Sequence, residues 1–190
     1  PQSYIENWSA DGKIKIGANS KINSFGSIDN NGSITVCSNA LLNLYQHSLS
    51  NSCVLANESD GVIKIEDNAV IKCYKARTFN IDNDGELCIG NNISISAFST
   101  STSNLEASLY NTGYVTAGDG LVIDGVCIYN TGIMKIGNNA FINENIENRN
   151  SMEIGDNAFI EGDVCVSGSS LKIGSGATFL ESNIDQDDYA

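Results

Sequence analysis

The stretch Leu171-Lys-Ile-Gly-Ser-Gly-Ala-Thr-Phe-Leu180 follows a pattern that occurs eight times in the 190-residue sequence. Internal repeats are considered first because they determine the architecture of a repeat protein. The other seven copies are Ile14–Ile22, Ile34–Leu42, Ile63–Ile71, Leu87–Ile95, Val115–Ile123, Met134–Ile142 and Met152–Ile160. In every copy the first, third and ninth residues are apolar, and the second is usually polar. This alternation predicts two short, half-buried β-strands in each copy.

The sixth position of each copy is always Asn or Gly. Both residues tolerate a positive φ, which most L-residues avoid. The chain is therefore predicted to turn a corner between the two strands of each copy, where stacked Asn side chains suggest a hydrogen-bonded ladder. This predicted corner ladder comprises Asn19, Asn39, Asn68, Asn92, Gly120, Asn139, Asn157 and Gly176.

Turn-forming dipeptides mark a second corner before most copies. They are Asp11-Gly12, Asn31-Gly32, Asp60-Gly61, Asp84-Gly85, Thr112-Gly113 and Thr131-Gly132. As hairpin turns they would give an antiparallel sandwich or barrel. The repeat unit, however, runs strand, corner, strand, longer return, strand, and only a neighbouring unit covers its apolar side. The sequence therefore predicts an all-β fold, a parallel β-solenoid in the form of a single-stranded β-helix of about eight coils.

The spacing of the copies divides this single predicted domain, residues 1–190, into segments. Intervals between successive third positions are irregular at first and then settle to 19, 18 and 19 residues from Ala117 to Ile173. The predicted segments are an N-terminal cap (1–10), irregular coils with loop insertions (11–110), regular coils (111–184) and a frayed acidic tail (185–190). The insertions are placed at Leu44–Asn57, Tyr74–Asn80 and Ser99–Leu109, on one corner, where they are either a binding surface or tolerated surface loops.

The charge balance limits the possible partners. The sequence contains 23 Asp and Glu but 10 Lys and Arg, for a formal net charge of −13 at pH 7. Nucleic acid or an anionic membrane surface would require a basic patch. No apolar run is long enough to cross a bilayer, and no basic-then-apolar leader begins the sequence. We therefore expect no nucleic-acid partner and no membrane span.

The six cysteines contain no Cys-x-x-Cys pair. Cys127 and Cys165 are predicted to share an outward column two coils apart, with Glu147 between them, beyond the disulfide reach of about 7 Å. Cys73 is predicted to face inward. Unpaired thiols favour a reducing compartment, so a cytoplasmic location is expected. The single histidine, His47, is remote from the cysteines, so neither zinc nor another cofactor is expected.

Candidate chemistry is sparse. His47 precedes Ser48 in an insertion, with no third residue to hold a general base, so a loop histidine is favoured over a catalytic one. The segment Ser99–Asn104 lacks the aligned Thr rank that ice binding requires. The second residues of the copies form a lysine-bearing stripe, interpreted as a solvated face or as a docking face for an acidic partner. The stripe consists of Lys15, Thr35, Lys64, Cys88, Thr116, Lys135, Glu153 and Lys172.

Two known families have similar repeats. Ile154–Val164 and Leu171–Ile184 resemble the repeat of bactofilins, over roughly residues 130–184. That resemblance implies a compact right-handed β-helix that assembles end to end into cytoplasmic filaments without nucleotide. The hexads Ile136–Phe141 and Ile154–Phe159 are also similar to the hexapeptide acyltransferases, which build left-handed β-helices. Those enzymes need a catalytic histidine between subunits and a C-terminal extension, and neither is expected here; a right-handed winding is favoured.

The resulting expectation is a non-enzymatic structural protein that assembles with itself through its open end coils. The alternatives are a carbohydrate- or protein-binding solenoid of the phage-fibre kind, which would use the inserted loops, and a degenerate acyltransferase. Tyr4, Ile5 and Trp8 are expected to cap the first coil, or Trp8 to pack against another subunit. The candidate assembly ends are Trp8, Ile14, Ile16, Ile22, Leu171, Ile173 and Phe179.

Overall fold

A computed structural model describes residues 5–45, 52–74, 78–98, 106–167, 170–180 and 183–187. The described residues form short β-strands joined by tight corners, and no helix occurs among them. The strands are, in chain order, β1 (Ile5–Asn7), β2 (Lys13–Ile16), β3 (Lys21–Ser24), β4 (Ile28–Asn30), β5 (Ser33–Val36), β6 (Leu41–Tyr45), β7 (Ser52–Asn57), β8 (Val62–Ile65), β9 (Val70–Tyr74), β10 (Thr78–Asn83), β11 (Glu86–Ile89), β12 (Ser94–Phe98), β13 (Glu106–Asn111), β14 (Tyr114–Ala117), β15 (Val122–Asp124), β16 (Cys127–Asn130), β17 (Ile133–Ile136), β18 (Phe141–Asn143), β19 (Ile146–Asn148), β20 (Ser151–Ile154), β21 (Phe159–Glu161), β22 (Val164–Ser167), β23 (Leu171–Ile173), β24 (Thr178–Leu180) and β25 (Ile184–Asp187).

Every third strand belongs to the same sheet, so the chain winds around three sheets in turn. Sheet 1 contains nine strands, from β1 and β4 to β25. Sheet 2 contains eight, from β2 to β23, and sheet 3 contains eight, from β3 to β24. Neighbouring strands in all three sheets are parallel, for example β2 with β5 and β10 with β13. The predicted parallel β-solenoid of eight coils is therefore confirmed, and the antiparallel alternative is excluded; the right-handed winding stays a prediction.

The first and third residues of the repeat lie on sheet 2 and point into the interior. Each stacks on the same position of the next coil, so the first positions form one continuous buried column. Its members are Ile14, Ile34, Ile63, Leu87, Val115, Met134, Met152 and Leu171. The ninth residue faces this column from sheet 3, and Ile71, Ile142 and Ile160 are completely buried there. Burial of one such side chain is worth about 1.5–3 kcal/mol, and no coil achieves it without neighbours.

The insertions are shorter than the sequence predicted. The chain between sheet 3 and sheet 1 lies outside the described residues at 46–51, 75–77 and 99–105, all at the same corner. Half of the residues in the predicted insertions Leu44–Asn57, Tyr74–Asn80 and Ser99–Leu109 are instead strand, mainly because β7, β10 and β13 extend to six residues each. Next to this corner the rings of Phe25, Tyr45, Tyr74 and Phe98 stack in one row, with centroids 4.9, 5.2 and 5.7 Å apart.

Both terminal segments continue the solenoid. The predicted cap contains β1, whose Ile5 pairs with Ile28 and packs on the core as the first strand of sheet 1. Trp8 does not cover the first coil: it is 65% exposed, and its indole N–H donates to the Glu6 carboxylate at 3.0 Å. Tyr4 lies outside the described residues. The predicted acidic tail begins in β25, which pairs with β22, so residues 185–187 are ordered by sheet hydrogen bonds.

No described helix is long and apolar enough to cross a bilayer.

Candidate functional site

A buried column of asparagines runs along the corner between sheet 1 and sheet 2. Each member is the last residue of its sheet 1 strand, and each is at most 7% exposed. The column consists of Asn7, Asn30, Asn57, Asn83, Asn111, Asn130 and Asn148. We call it the asparagine ladder. In the next coil Val166 occupies the position that corresponds to Asn148, so the ladder spans the first seven coils.

Side-chain hydrogen bonds connect every step of the asparagine ladder. Each Nδ2 donates to Oδ1 of the asparagine in the next coil, and the six distances lie between 2.7 and 2.9 Å. The same Nδ2 also reaches backbone carbonyls at the corner; Asn83, for example, donates to Gly85 O at 3.2 Å and to Tyr114 O at 3.0 Å. Buried amides are costly unless hydrogen-bonded, and this arrangement satisfies them along the whole rod.

Glycines make room for the asparagine ladder. A Cβ on Gly113 would overlap the carbonyl oxygen of Gly85, and a Cβ on Gly132 would overlap that of Gly113. The backbones of successive coils therefore touch at this corner, which brings each carbonyl within reach of the ladder amides. The turn dipeptides noted in the sequence are explained by this close approach as well as by turn geometry.

The corner predicted from the sixth repeat position has a different kind of ladder. All eight residues there have positive φ, from 55° at Asn92 to 72° at Gly176. Their contacts between coils run mainly through the backbone: the amide of Asn92 donates to Asp119 O and that of Gly120 to Asn138 O, both at 2.8 Å. A side-chain bond joins Asn92 to Asn68 at 3.3 Å. The continuous side-chain ladder lies at the other corner, which the sequence reading did not identify.

The two end coils expose apolar side chains at repeat positions that are buried in the interior coils, apart from the small Ala117. At the N-terminal end Ile14 and Ile22 are only partly buried, although Ile16 is 7% exposed. At the C-terminal end the partly buried side chains are Leu171, Ile173 and Phe179. The interior counterparts, such as Met134 and Ile142, are at most 1% exposed. The predicted assembly ends are thus placed on two opposite faces, whereas Trp8 points away into solvent.

The lysine-bearing stripe is one straight column on the outer face of sheet 2, with the predicted register. Its one ion pair joins Lys172 Nζ to a Glu153 carboxylate oxygen at 2.6 Å. The hydrogen bond to Glu153 raises the pKa of Lys172, and the same bond lowers the pKa of Glu153. Both groups are well exposed, so the pair contributes little to stability.

Five cysteine side chains are described, and each is buried or half-buried. Cys37 and Cys73 are buried, Cys73 facing inward as predicted. Burial, together with Glu86, raises the pKa of the Cys88 thiol; burial and Glu144 raise that of Cys127. A raised pKa keeps a thiol protonated and poorly nucleophilic. No group of three or more metal-binding side chains occurs among the described residues.

The prediction that Cys127 and Cys165 share one outward column is wrong. Cys165 pairs with Glu147, and Glu147 pairs with Tyr129, so Cys127 stands two residues away from that column. Two differences add up to this offset: Cys127 follows Gly120 by seven positions whereas Cys165 follows Asn157 by eight, and the return after Gly120 contains one extra residue, so that Tyr129 occupies the column. His47 and the Ser99–Asn104 segment lie outside the described residues.

The outer face of sheet 1 carries carboxylates with raised pKa values. The pKa of Asp29 is raised by burial first and then by the negative charges of Glu6 and Glu58. Burial also raises the pKa of Asp82, with help from Asp84. These groups hold protons more tightly in the folded state than in the unfolded chain. They therefore oppose folding above their folded pKa, and this opposition disappears as the pH falls.

Comparison with known proteins gave no match: no family model, no curated protein and no solved structure is similar to this chain at a significant level.

Replacing Asn83 by Leu should destabilise the protein by about 2–4 kcal/mol, because it leaves the buried Oδ1 of Asn111 without its donor and removes one of the three acceptors of Asn57 Nδ2. Urea unfolding followed by circular dichroism measures the change. The control is Asn92→Gly at the other corner, where Gly120 and Gly176 are already accepted; its cost should stay below about 1 kcal/mol. Equal losses of unfolding free energy in the two variants would show that the asparagine ladder contributes no more to stability than the other corner.

Replacing Asp29 by Asn should raise the melting temperature at pH 7, since it removes a carboxylate held near Glu6 and Glu58. The gain should shrink toward about pH 3, where the wild-type carboxyl is protonated in both states. Differential scanning calorimetry at the two pH values measures this. Glu153→Gln is the control with the opposite pKa shift. The pKa of Glu153 is lowered in the folded protein, so this variant should gain no stability at pH 7. A gain at Asp29 that persists unchanged at low pH would contradict the electrostatic cause.

Proposed function

We propose that this protein is a structural, non-enzymatic rod that assembles end to end through its first and last coils. The observation that carries the proposal is the pair of apolar end faces, each bordered by sheet edges whose backbone groups lack a neighbouring strand on one side. Such edges offer hydrogen-bond donors, acceptors and apolar surface together, which favours addition of another strand. The resemblance of residues 130–184 to the bactofilin repeat supports the same proposal.

The repeat register defines how two copies would meet. In sheet 2, β23 of one copy accepts β2 of the next, so that Leu171 and Ile173 continue onto Ile14 and Ile16 of that copy. In sheet 3, β24 accepts β3, and Phe179 meets Ile22. The contact is head to tail and heterologous, so each addition leaves a new open end and the product is an open polymer.

One strand opposes this register. β1 and β25 are the two edge strands of sheet 1. Ile5 of β1 and Ile184 of β25 lie in the same column of residues, which also contains Ile28 and Val164. If sheets 2 and 3 are continuous across the junction, β1 of the incoming copy falls at the place of β25. Ile184 is 60% exposed, so β25 buries little apolar surface where it lies. Assembly therefore requires β25 to leave the sheet edge, which makes it a competitor of the incoming β1.

Cys37, Cys73, Cys88, Cys127 and Cys165 form no disulfide bond. Proteins of reducing compartments keep their cysteines in this form, so the proposed rod is assigned to the cytoplasm.

Introducing a charge into the C-terminal end face should block assembly. Phe179→Asp places a carboxylate where Ile22 of the next copy would pack, so elongated particles in negative-stain electron microscopy should be replaced by single rods. Thr178→Asp on the same strand is the matched control: this residue points outward and is exposed, so its assemblies should persist. Elongated particles formed by Phe179→Asp would rule out this end as the interface.

Removing β25 should promote assembly. A chain ending at residue 182 leaves the edge of β22 open for β1 of another copy, so elongated particles should appear at lower protein concentration than with the full chain. Light scattering over a concentration series measures the threshold. If the shortened chain keeps the same threshold and remains folded by circular dichroism, β25 does not compete for that edge.

A further inference from the structure

The outer face of sheet 3 differs from that of sheet 2 in having one column that is mostly apolar. Its main column holds the eighth residue of each repeat, in the order Lys21, Leu41, Val70, Ser94, Val122, Phe141, Phe159 and Thr178. Five of these eight side chains are apolar, and all five are half-buried rather than covered. Phe141 and Phe159 stack with centroids 5.3 Å apart. The equivalent column of sheet 2 is the polar, lysine-bearing stripe.

A second outward column on sheet 3 separates positive from negative charge along the rod. It holds, in order, Asn23, Asn43, Lys72, Ser96, Asp124, Asn143, Glu161 and Leu180. Together with Lys21 of the first column, its cations lie in the first three coils. Its anions, Asp124 and Glu161, lie in the fifth and seventh coils. Ser96 stands at the middle, one coil from Lys72 and one coil from Asp124; Ser96 and Asn43 are buried, so the accessible charges of this column are Lys72, Asp124 and Glu161.

We infer that sheet 3 is a docking face for a second copy of this chain, packed face to face with the two rods antiparallel. The two-fold axis lies between the two copies and runs parallel to strand β12. It brings each column opposite the same column of the second copy, with the order of coils reversed. Val70 then faces Val122 of the second copy, and Leu41 faces its Phe141. Lys72 faces the second copy's Asp124, and symmetry makes this ion pair twice.

The charge order selects a second copy and the antiparallel direction. With the rods parallel and in register, Lys72 would lie at the same level as the second copy's Lys72 and Asp124 at the same level as its Asp124, so neither charge would meet an opposite charge. The rest of the molecule is acidic, with a net charge of −13, so two copies repel each other on most faces. On sheet 3 the lysines are placed where they offset the carboxylates of the opposing copy. An isologous contact of this kind is closed and adds only one partner.

The size of the face predicts a weak, salt-sensitive pair. Eight strands stacked about 4.8 Å apart, each three to five residues wide, present roughly 400–600 Å² per copy. This lies at the lower end of specific interfaces, which bury about 800 Å² per partner. The two Lys72–Asp124 pairs therefore matter for pairing, and their contribution should fall as salt is raised.

Sedimentation velocity tests the inference over about 10–200 µM protein, a range suited to weak association. All proteins carry Phe179→Asp, which blocks end-to-end growth and lies in the eighth coil, outside the seven coils that face each other. In this background the parent should form dimers. Lys72→Asp and Asp124→Lys should each weaken dimerisation by about tenfold or more, and the double variant should restore it to within about threefold. Lys135→Asp makes the same charge change on sheet 2 and should have no effect.

Each other outcome overturns the inference. A parent that stays monomeric throughout, or forms trimers, has no two-fold contact on this face. Single reversals that leave the dimer unchanged, or a double variant that fails to restore it, show that Lys72 does not face Asp124. Because end-to-end growth is scored separately by microscopy, the failure of one contact does not imply the failure of the other.

Discussion

Hydrogen bonding along the asparagine ladder is the interaction on which the register of the first seven coils depends. In a parallel sheet a slip of one residue moves every inward side chain to the outer face. The buried amides oppose such a slip, because an asparagine that loses its neighbour leaves a donor or an acceptor without a partner in a dry interior. Asn30, Asn130 and Asn148 are completely buried. Apolar packing is non-directional and would tolerate small displacements of one coil relative to the next, whereas the hydrogen bonds of the asparagine ladder would not.

The same dependence on neighbours makes the ends of the rod different from its middle. An interior coil is covered on both sides, whereas the first and last coils are covered on one, so solenoid stability is a sum over coils and their interfaces. Asn7 has an asparagine neighbour on one side, and Val166 replaces the amide in the eighth coil. The ladder therefore specifies register through the middle of the rod. At the C-terminal end the register is maintained by apolar packing and backbone hydrogen bonds.

The fold was predictable because the repeat pattern encodes two of the three strands of each coil. The apolar first, third and ninth positions identify sheets 2 and 3, and the Asn or Gly at the sixth position requires the positive φ that Asn19 and Gly120 have. Sheet 1 was not predictable in detail, because it follows a return of variable length. The extra residue after Gly120 contributed to the misplacement of Cys127, and part of each long strand such as β7 was interpreted as an insertion.

The asparagine ladder was missed for a related reason. Its members are separated by 18 to 28 residues, an irregular spacing that conceals the column. Several also precede a glycine closely, as in Asn30-Asn31-Gly32 and Asn83-Asp84-Gly85, where asparagine is explained equally well as a turn residue. The distinguishing signal was that each of these asparagines ends an apolar–polar alternation, at a place that should face inward. A polar residue at an inward position requires a polar partner, and in a solenoid that partner is the same residue of the next coil.

The two proposed contacts together determine the symmetry of any larger assembly. End-to-end contact is heterologous, so it gives each single rod a direction and sets no limit on its length. Lateral contact through sheet 3 is isologous and antiparallel, so it joins two rods whose directions cancel. A filament built with both contacts has two strands and no overall polarity, and its two ends are equivalent. Growth at equivalent ends proceeds at equal rates, because nothing in such a filament distinguishes one end from the other.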